Sequence, residues 1–180
     1  MNVYAWLFQR SHLFALVIGL TDGILTALTL ISGRLLAGPY ISFSLALRIA
    51  TGSALSGIFV YFTAEYSRLR GELVHAERQL NLAARGIFAT TQLGKAVRRD
   101  TIWAGALSGS ANFLGALFPL FVGSIHSAPC WLPIAAAMVV LGVMGVVLAR
   151  TVYGRIIVWT PVLMLAGIIL AFVGVKLHIV

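Results

Sequence analysis

The chain has 180 residues, of which 60% are hydrophobic and only 10% are charged, whereas a soluble domain carries about 25% charged residues. With a mean hydropathy of +0.98, this composition excludes an ordinary soluble domain and indicates an integral membrane protein. The formal charge of +8 fits basic cytoplasmic loops better than nucleic-acid binding. The single cysteine, Cys130, excludes an intramolecular disulfide and a multi-cysteine metal site.

Five stretches are long and apolar enough to cross a bilayer, which takes about 20 apolar residues in a helix. The sequence therefore predicts an all-α membrane protein with five transmembrane helices and a cytoplasmic helical insertion between the second and third. The predicted spans are 13–32, 43–64, 102–123, 131–149 and 156–175. Residues 1–64 hold the first two helices, 65–100 the insertion and 101–180 the last three.

The basic residues are distributed unevenly between the two sides of the membrane. If the spans alternate, the side that holds Arg10, the insertion, Arg150 and Arg155 is far more basic than the other. The positive-inside rule then places the N-terminus in the cytoplasm and the C-terminus outside, in an inner or plasma membrane. The basic residues of the insertion are Arg68, Arg70, Arg78, Arg85, Lys95, Arg98 and Arg99.

The insertion is itself helical in pattern, with apolar residues recurring every three or four positions from Leu69 onwards. We interpret it as a continuation of the second span into the cytoplasm, and Glu72 follows Arg68 by four residues, so the two can pair. Glycines at positions 86 and 94 are predicted to break the helix. A compatible alternative is an amphipathic helix on the anionic inner leaflet.

An acidic side chain, Asp22, lies near the middle of the first predicted span. A charge at the bilayer centre costs about 2.5–3.5 kcal/mol on insertion scales, so such a residue usually faces a partner helix or a water-filled path. Gly19 and Gly23 flank the acid, and Thr26 lies one turn along the same face. This arrangement favours a proton or cation relay. The alternative is a protonated acid that hydrogen-bonds another helix.

A second acid, Glu65, ends the second span in the stretch FTAEYS, at the predicted cytoplasmic mouth. We interpret it as a second candidate for handling a cation. The alternative is an ordinary surface pair with Arg68, which follows three residues later.

Other polar residues within the spans are weaker candidates. Ser108, Ser110 and Asn112 in the third span are interpreted as contacts between helices, a common use of small polar residues in membranes. The sequence contains no visible nucleophile–base pair, phosphate-binding loop or pair of hydrolase carboxylates. It therefore does not predict an enzyme.

Three stretches in the same order resemble the first three spans of the vacuolar iron transporter family. GLTDGILTALTLISG resembles that family's first-span signature, and SALSGIFVYFTAEYSRLRGE resembles its second span. ALSGSANFLGALFPLF resembles its third span, where small residues lead into a Gly-Ala-apolar-apolar-Pro sequence. The resemblance covers most of residues 13–123, and the last two spans are generic.

The resemblance implies a homodimeric exporter that moves ferrous iron or manganese out of the cytosol in exchange for protons, with no resident cofactor. It implies that Asp22 lines a pathway between two subunits and that Glu65 lies near the cytoplasmic entrance. Tyr61 stands on the same pathway, where the family has a methionine. Glu72 and Glu77 are the acids that stand where the family's insertion carries metal-binding glutamates, among many more arginines.

Two functions remain open from the sequence. The first is this proton-coupled transporter, with Asp22 facing water or a subunit interface. The second is a non-transporting membrane module that keeps the helical bundle, with Asp22 buried, neutral and hydrogen-bonded. In the second case the basic segment 66–99 would bind anionic lipid or an acidic partner.

Overall fold

The computed structural model of the protein describes residues 3–34, 42–79, 91–125 and 131–177, and the regular structure within these ranges is entirely helical. Each of the five helices is long and apolar enough to cross a membrane. This confirms the prediction of an all-α membrane protein with five transmembrane helices. The helices are α1 (Val3–Arg34), α2 (Phe43–Gln79), α3 (Gln92–Ser124), α4 (Leu132–Thr151) and α5 (Ile156–Leu177).

Helices α2 and α3 are much longer than a bilayer requires. They contain 37 and 33 residues, so they measure about 55 and 50 Å at 1.5 Å per residue, against a hydrocarbon core of about 30 Å. Helix α2 continues the predicted second span without interruption to Gln79, as expected, and α3 begins at Gln92. The predicted break at Gly94 is wrong because that glycine lies inside α3, and residue 86 lies outside the described ranges.

Helices α1 and α3 form the centre of the bundle, with α2 on the far side of α3 and with α4 and α5 against α1. The contact between α1 and α3 is made at the level of the backbone. A Cβ at Gly19 would overlap the Ser108 carbonyl, and a Cβ at Gly23 would overlap the Asn112 carbonyl. Small residues thus bring the two helices together, as is usual in membrane bundles.

The remaining packing leaves α2 and α5 at the edges of the bundle. Half of the most apolar stretch of α3 is buried, but only 6% of that of α5, so α5 is exposed along the outside of the bundle. Helix α2 packs on α3 and touches α1 little, so a cleft lies between α1 and α2 with α3 as its floor. The buried core beside this cleft consists of Ala27, Ile31, Ala46, Ala50, Ala116 and Leu120.

Candidate cation site

The cleft between α1 and α2 contains a cavity of about 850 Å³. Both acids that the sequence singled out, Asp22 on α1 and Glu65 on α2, line this cavity, although they belong to different helices. Its apolar wall includes Phe14, Ile18 and Val60, and its polar lining consists of Asp22, Ser56, Tyr61, Glu65, Arg68, Ser108, Asn112 and Thr151. The fold therefore brings two separated sequence motifs to one cavity, whose lining is more apolar than polar.

The Asp22 side chain is exposed to this cavity rather than sealed in packing. Its Oδ2 accepts a hydrogen bond of 2.7 Å from Nδ2 of Asn112 on α3. Asn112 is fully buried, and its Oδ1 accepts a bond of 2.6 Å from the Ser53 hydroxyl on α2. One continuous chain of hydrogen bonds thus links α1, α2 and α3 at the cavity.

Two glycines leave the space that Asn112 occupies. A Cβ at Gly23 of α1 would overlap the backbone carbonyl of Asn112, and a Cβ at Gly57 of α2 would meet the side-chain amide nitrogen. The side-chain amide therefore packs against α2 and is directed at Asp22 by its hydrogen bonds with Ser53 and Asp22. This arrangement keeps the carboxyl in a defined orientation while its other oxygen, Oδ1, accepts no hydrogen bond from the described residues. That oxygen can accept a proton or ligate a hard cation.

The other acid of the cavity has a different partner. The Glu65 side chain is only 13% exposed, and Arg68 binds both of its oxygens, with Nη2 at 2.7 Å from Oε1 and Nε at 3.0 Å from Oε2. A third nitrogen of the same guanidinium, Nη1, lies 2.6 Å from Oε1 of Glu72. The predicted pair of Arg68 and Glu72 is confirmed, and it forms part of a larger cluster of three charges.

Arg68 lies beyond the predicted second span and acts there as a permanent cation. Hydrogen bonding to Glu65 raises the pKa of its guanidinium above the ordinary value for arginine, which is already far above neutral pH. The carboxylate of Glu65 is therefore neutralised by the chain itself. An external cation that binds Glu65 must compete with this fork of two hydrogen bonds.

The other predicted site residues lie in different surroundings. Tyr61 is buried and lines the cavity, whereas Thr26, Glu72 and Glu77 are not among its described lining residues. The side chain of Glu72 is 60% exposed on the outer part of α2, and Glu77 is buried. Roles for Thr26, Glu72 and Glu77 in binding or transport stay predictions.

Within the described ranges, no group of three or more His, Cys, Asp or Glu side chains stands close enough to hold a metal ion. The possible oxygen ligands of the cavity are therefore two separate acids, together with amide and hydroxyl oxygens from Asn112, Ser56 and Ser108. Such a chamber suits transient contact with a hard cation better than a closed resident metal site.

The sequence reasoning missed the partners that complete the site. The interpretation of Asn112 as a contact between helices is confirmed, but the sequence predicts neither its pairing with Asp22 nor the role of Ser53. The available signal was weak: Asn112 stands among small residues in SGSANFLG, and Gly57 on α2 leaves the space that its side chain fills. Neither pattern specifies Asp22 as the partner.

Comparison of the chain with family models, with curated proteins and with solved structures finds no match.

Proposed function

We propose that this protein is a membrane transporter that exchanges a divalent metal cation, Fe2+ or Mn2+, for protons. The observation that carries the proposal is the exposure of Asp22 to a cavity that also contains Glu65. An ionisable residue within a membrane span normally faces a water-filled path or a partner. Of the two alternatives that the sequence left open, this exposure supports transport, whereas the hydrogen bond from Asn112 to Asp22 is what the second alternative expects.

In this proposal the cation passes between the two acids. It is received at the Glu65 end, at the cytoplasmic side, and moves to Asp22, where the free carboxylate oxygen and the hydroxyls of Ser56 and Ser108 replace part of its hydration shell. The same carboxylate binds a proton when the cation has left. Exchange follows because one carboxylate oxygen cannot hold both at once.

The openness of the cleft between α1 and α2 is consistent with a second subunit. A carboxyl within the membrane is costly to expose to lipid, and a second copy of the chain across the cleft would shield it. We therefore propose a homodimer in which Asp22 lies beside the subunit interface. The N-terminus is proposed to be cytoplasmic and the C-terminus outside, in an inner or plasma membrane, with metal moved out of the cytosol.

The proposal is tested by flux into proteoliposomes that contain the purified protein. Fe2+, Mn2+, Zn2+ and Co2+ are compared with and without a pH gradient, and D22N serves as the inactive control. We expect gradient-dependent movement of Fe2+ or Mn2+ that D22N abolishes while the helical content stays unchanged. Uptake by D22N equal to that of the wild type would contradict the role of Asp22.

A second candidate function is a non-transporting module that binds anionic lipid or an acidic partner. It is favoured by a shallow groove of about 520 Å³ on the outer part of α2, lined by Arg70, His75 and Arg78 together with Ser67, Gly71 and Val74. In that case the protein, held in nanodiscs of neutral lipid, would bind vesicles rich in anionic lipid through these cations. Substituting Arg70 and Arg78 by Gln would abolish this binding, and D22N would have no phenotype.

A further inference from the structure

The guanidinium of Arg68 joins two acids that lie on either side of it along α2. Its Nε and Nη2 atoms bind the two oxygens of Glu65, three residues earlier, and its Nη1 binds Glu72, four residues later. These spacings place all three side chains on one face of the helix. The fork of two parallel N–H···O bonds is the strongest geometry that arginine offers a carboxylate.

The two acids differ sharply in their surroundings. Glu65 lines the cavity with its side chain 13% exposed, whereas the Glu72 side chain is 60% exposed. Water and salt therefore weaken the pair with Glu72 more than the pair with Glu65. The guanidinium makes two bonds to the inner acid and, at the same time, one bond of 2.6 Å to the outer acid, so Glu72 can keep it when the bonds to Glu65 break.

We propose that Arg68 is a tethered cation that occupies Glu65 until a divalent cation displaces it, and that Glu72 then keeps the displaced guanidinium. This inference rests on the proposed function, since it concerns how a cation gains access to Glu65. It assigns Arg68 and Glu72 as positioning residues that set the apparent affinity of the entrance. They do so by competition, without contacting the transported ion.

Competition of this kind predicts opposite effects for the two partners. R68Q removes the competitor and frees both oxygens of Glu65, so cation binding becomes tighter. E72Q removes the place that receives Arg68, so the guanidinium stays on Glu65 and binding becomes weaker. R68K keeps the charge but loses the planar fork, because a lysine ammonium is a point charge. If the two bonds of the fork hold Arg68 on Glu65, R68K should bind the cation about as tightly as R68Q does.

The test is equilibrium binding of Mn2+ to the purified full-length protein in lipid nanodiscs, with free Mn2+ measured by its electron paramagnetic resonance signal. We expect R68Q to bind Mn2+ about tenfold more tightly, which corresponds to about 1.4 kcal/mol. R68K should move in the same direction, and E72Q should weaken binding severalfold. The matched control is R70Q, which removes one positive charge from the same stretch of α2 at a residue that lines the outer groove.

The control variants separate competition for Glu65 from a general electrostatic effect of the net charge on this part of α2. If R68K binds like the wild type and R70Q binds as tightly as R68Q, only the net charge matters and the inference is overturned. The gain in R68Q should vanish in the double variant with E65Q, because the released site is Glu65. Mn2+ binding that stays undetectable in R68Q also overturns it. Loss of flux alone would instead refute the proposed transport, because binding at Glu65 is measured independently.

Discussion

The two ends of the cavity hold the same chemical group in opposite ways. At one end Asp22 accepts a hydrogen bond from the neutral amide of Asn112 on another helix, and its Oδ1 accepts none from the described residues. At the other end Glu65 is bound by the charged fork of Arg68, one turn along its own helix. The first acid thus has a neutral partner, and the second is held by the protein's own cation.

The difference shows how much of each end depends on tertiary packing. The Asp22 end depends on glycines that let α1 and α3 approach at backbone distance and on Gly57 of α2, which leaves space for the Asn112 side chain. The Glu65 end requires only helical geometry within α2, because its three charges lie at spacings of three and four residues. The first end should therefore be fragile towards small changes in packing, and the second should be tolerant.

The largest effect is expected from a glycine at the fragile end. G23A places a Cβ against the Asn112 carbonyl and the Ala116 nitrogen, and overpacking of this kind costs about 1–3 kcal/mol. Its control is G71A near the Glu65 end. Apart from the adjoining backbone of α2, a Cβ added at Gly71 would have no atom of the described residues within 4 Å. There alanine should be neutral or stabilise the helix by up to about 1 kcal/mol. Thermal unfolding in detergent measures the stability of both variants. Equal stability of G23A and G71A would contradict the predicted difference in sensitivity to packing.

The next effect concerns the amide itself. N112A deletes the donor to Asp22 and the acceptor for Ser53, so we expect proton-coupled Mn2+ flux to fall about tenfold, equivalent to about 1.4 kcal/mol. S53A is the milder control because it leaves the bond to Asp22 intact, and flux should fall by about twofold to threefold. Flux in N112A that matches S53A would mean that the amide does not orient the carboxyl.

A smaller effect is expected at the tolerant end. E65Q removes the entrance carboxylate and leaves Arg68 paired with Glu72 alone, so the apparent affinity for Mn2+ should fall about fivefold, or about 1 kcal/mol. The maximal rate should be nearly unchanged, because Asp22 and Asn112 remain in place. Transport kinetics at varied Mn2+ concentration separate the two quantities. An unaltered apparent affinity would count against an entrance role for Glu65.

The smallest effect is expected for Thr26. This half-buried residue was predicted on the pathway, but it is not among the described residues that line the cavity. We expect the rate of Mn2+ transport by T26A to lie within about twofold of the wild-type rate. A twofold difference corresponds to about 0.5 kcal/mol. Initial flux rates measure this, and a larger fall would put the Thr26 hydroxyl on the route of the ion.

The parts of the molecule that could be predicted are those that hydropathy or local spacing determines. The five spans follow from apolar length, and the pair of Arg68 and Glu72 follows from a spacing of four on one helix. The bond between Asn112 and Asp22 joins residues 90 positions apart. It depends on the register in which α1 packs on α3, which the spacing of polar residues within one span does not encode.

Helix ends illustrate the same distinction. Hydropathy predicts where the third helix is apolar, from about residue 102, but the helix begins at Gln92. The polar turns before the span are helical without being apolar, so a window based on hydrophobicity cannot detect them. Likewise, Gly94 does not break the helix, because a glycine in a helix costs only about 1 kcal/mol and the rest of a long helix compensates for it.

The uninterrupted length of α2 gives the protein a mechanical linkage. Ser53, which binds Asn112, and Glu72, which binds Arg68, belong to one rod, and 19 residues separate them, or about 28 Å along the axis. Tilting that rod by about 10° around its midpoint would move Ser53 and Glu72 by about 2.5 Å in opposite directions. Any molecule that pushes on the outer half of α2 therefore pulls on the hydrogen-bond chain at Asp22, without touching the interior of the bundle.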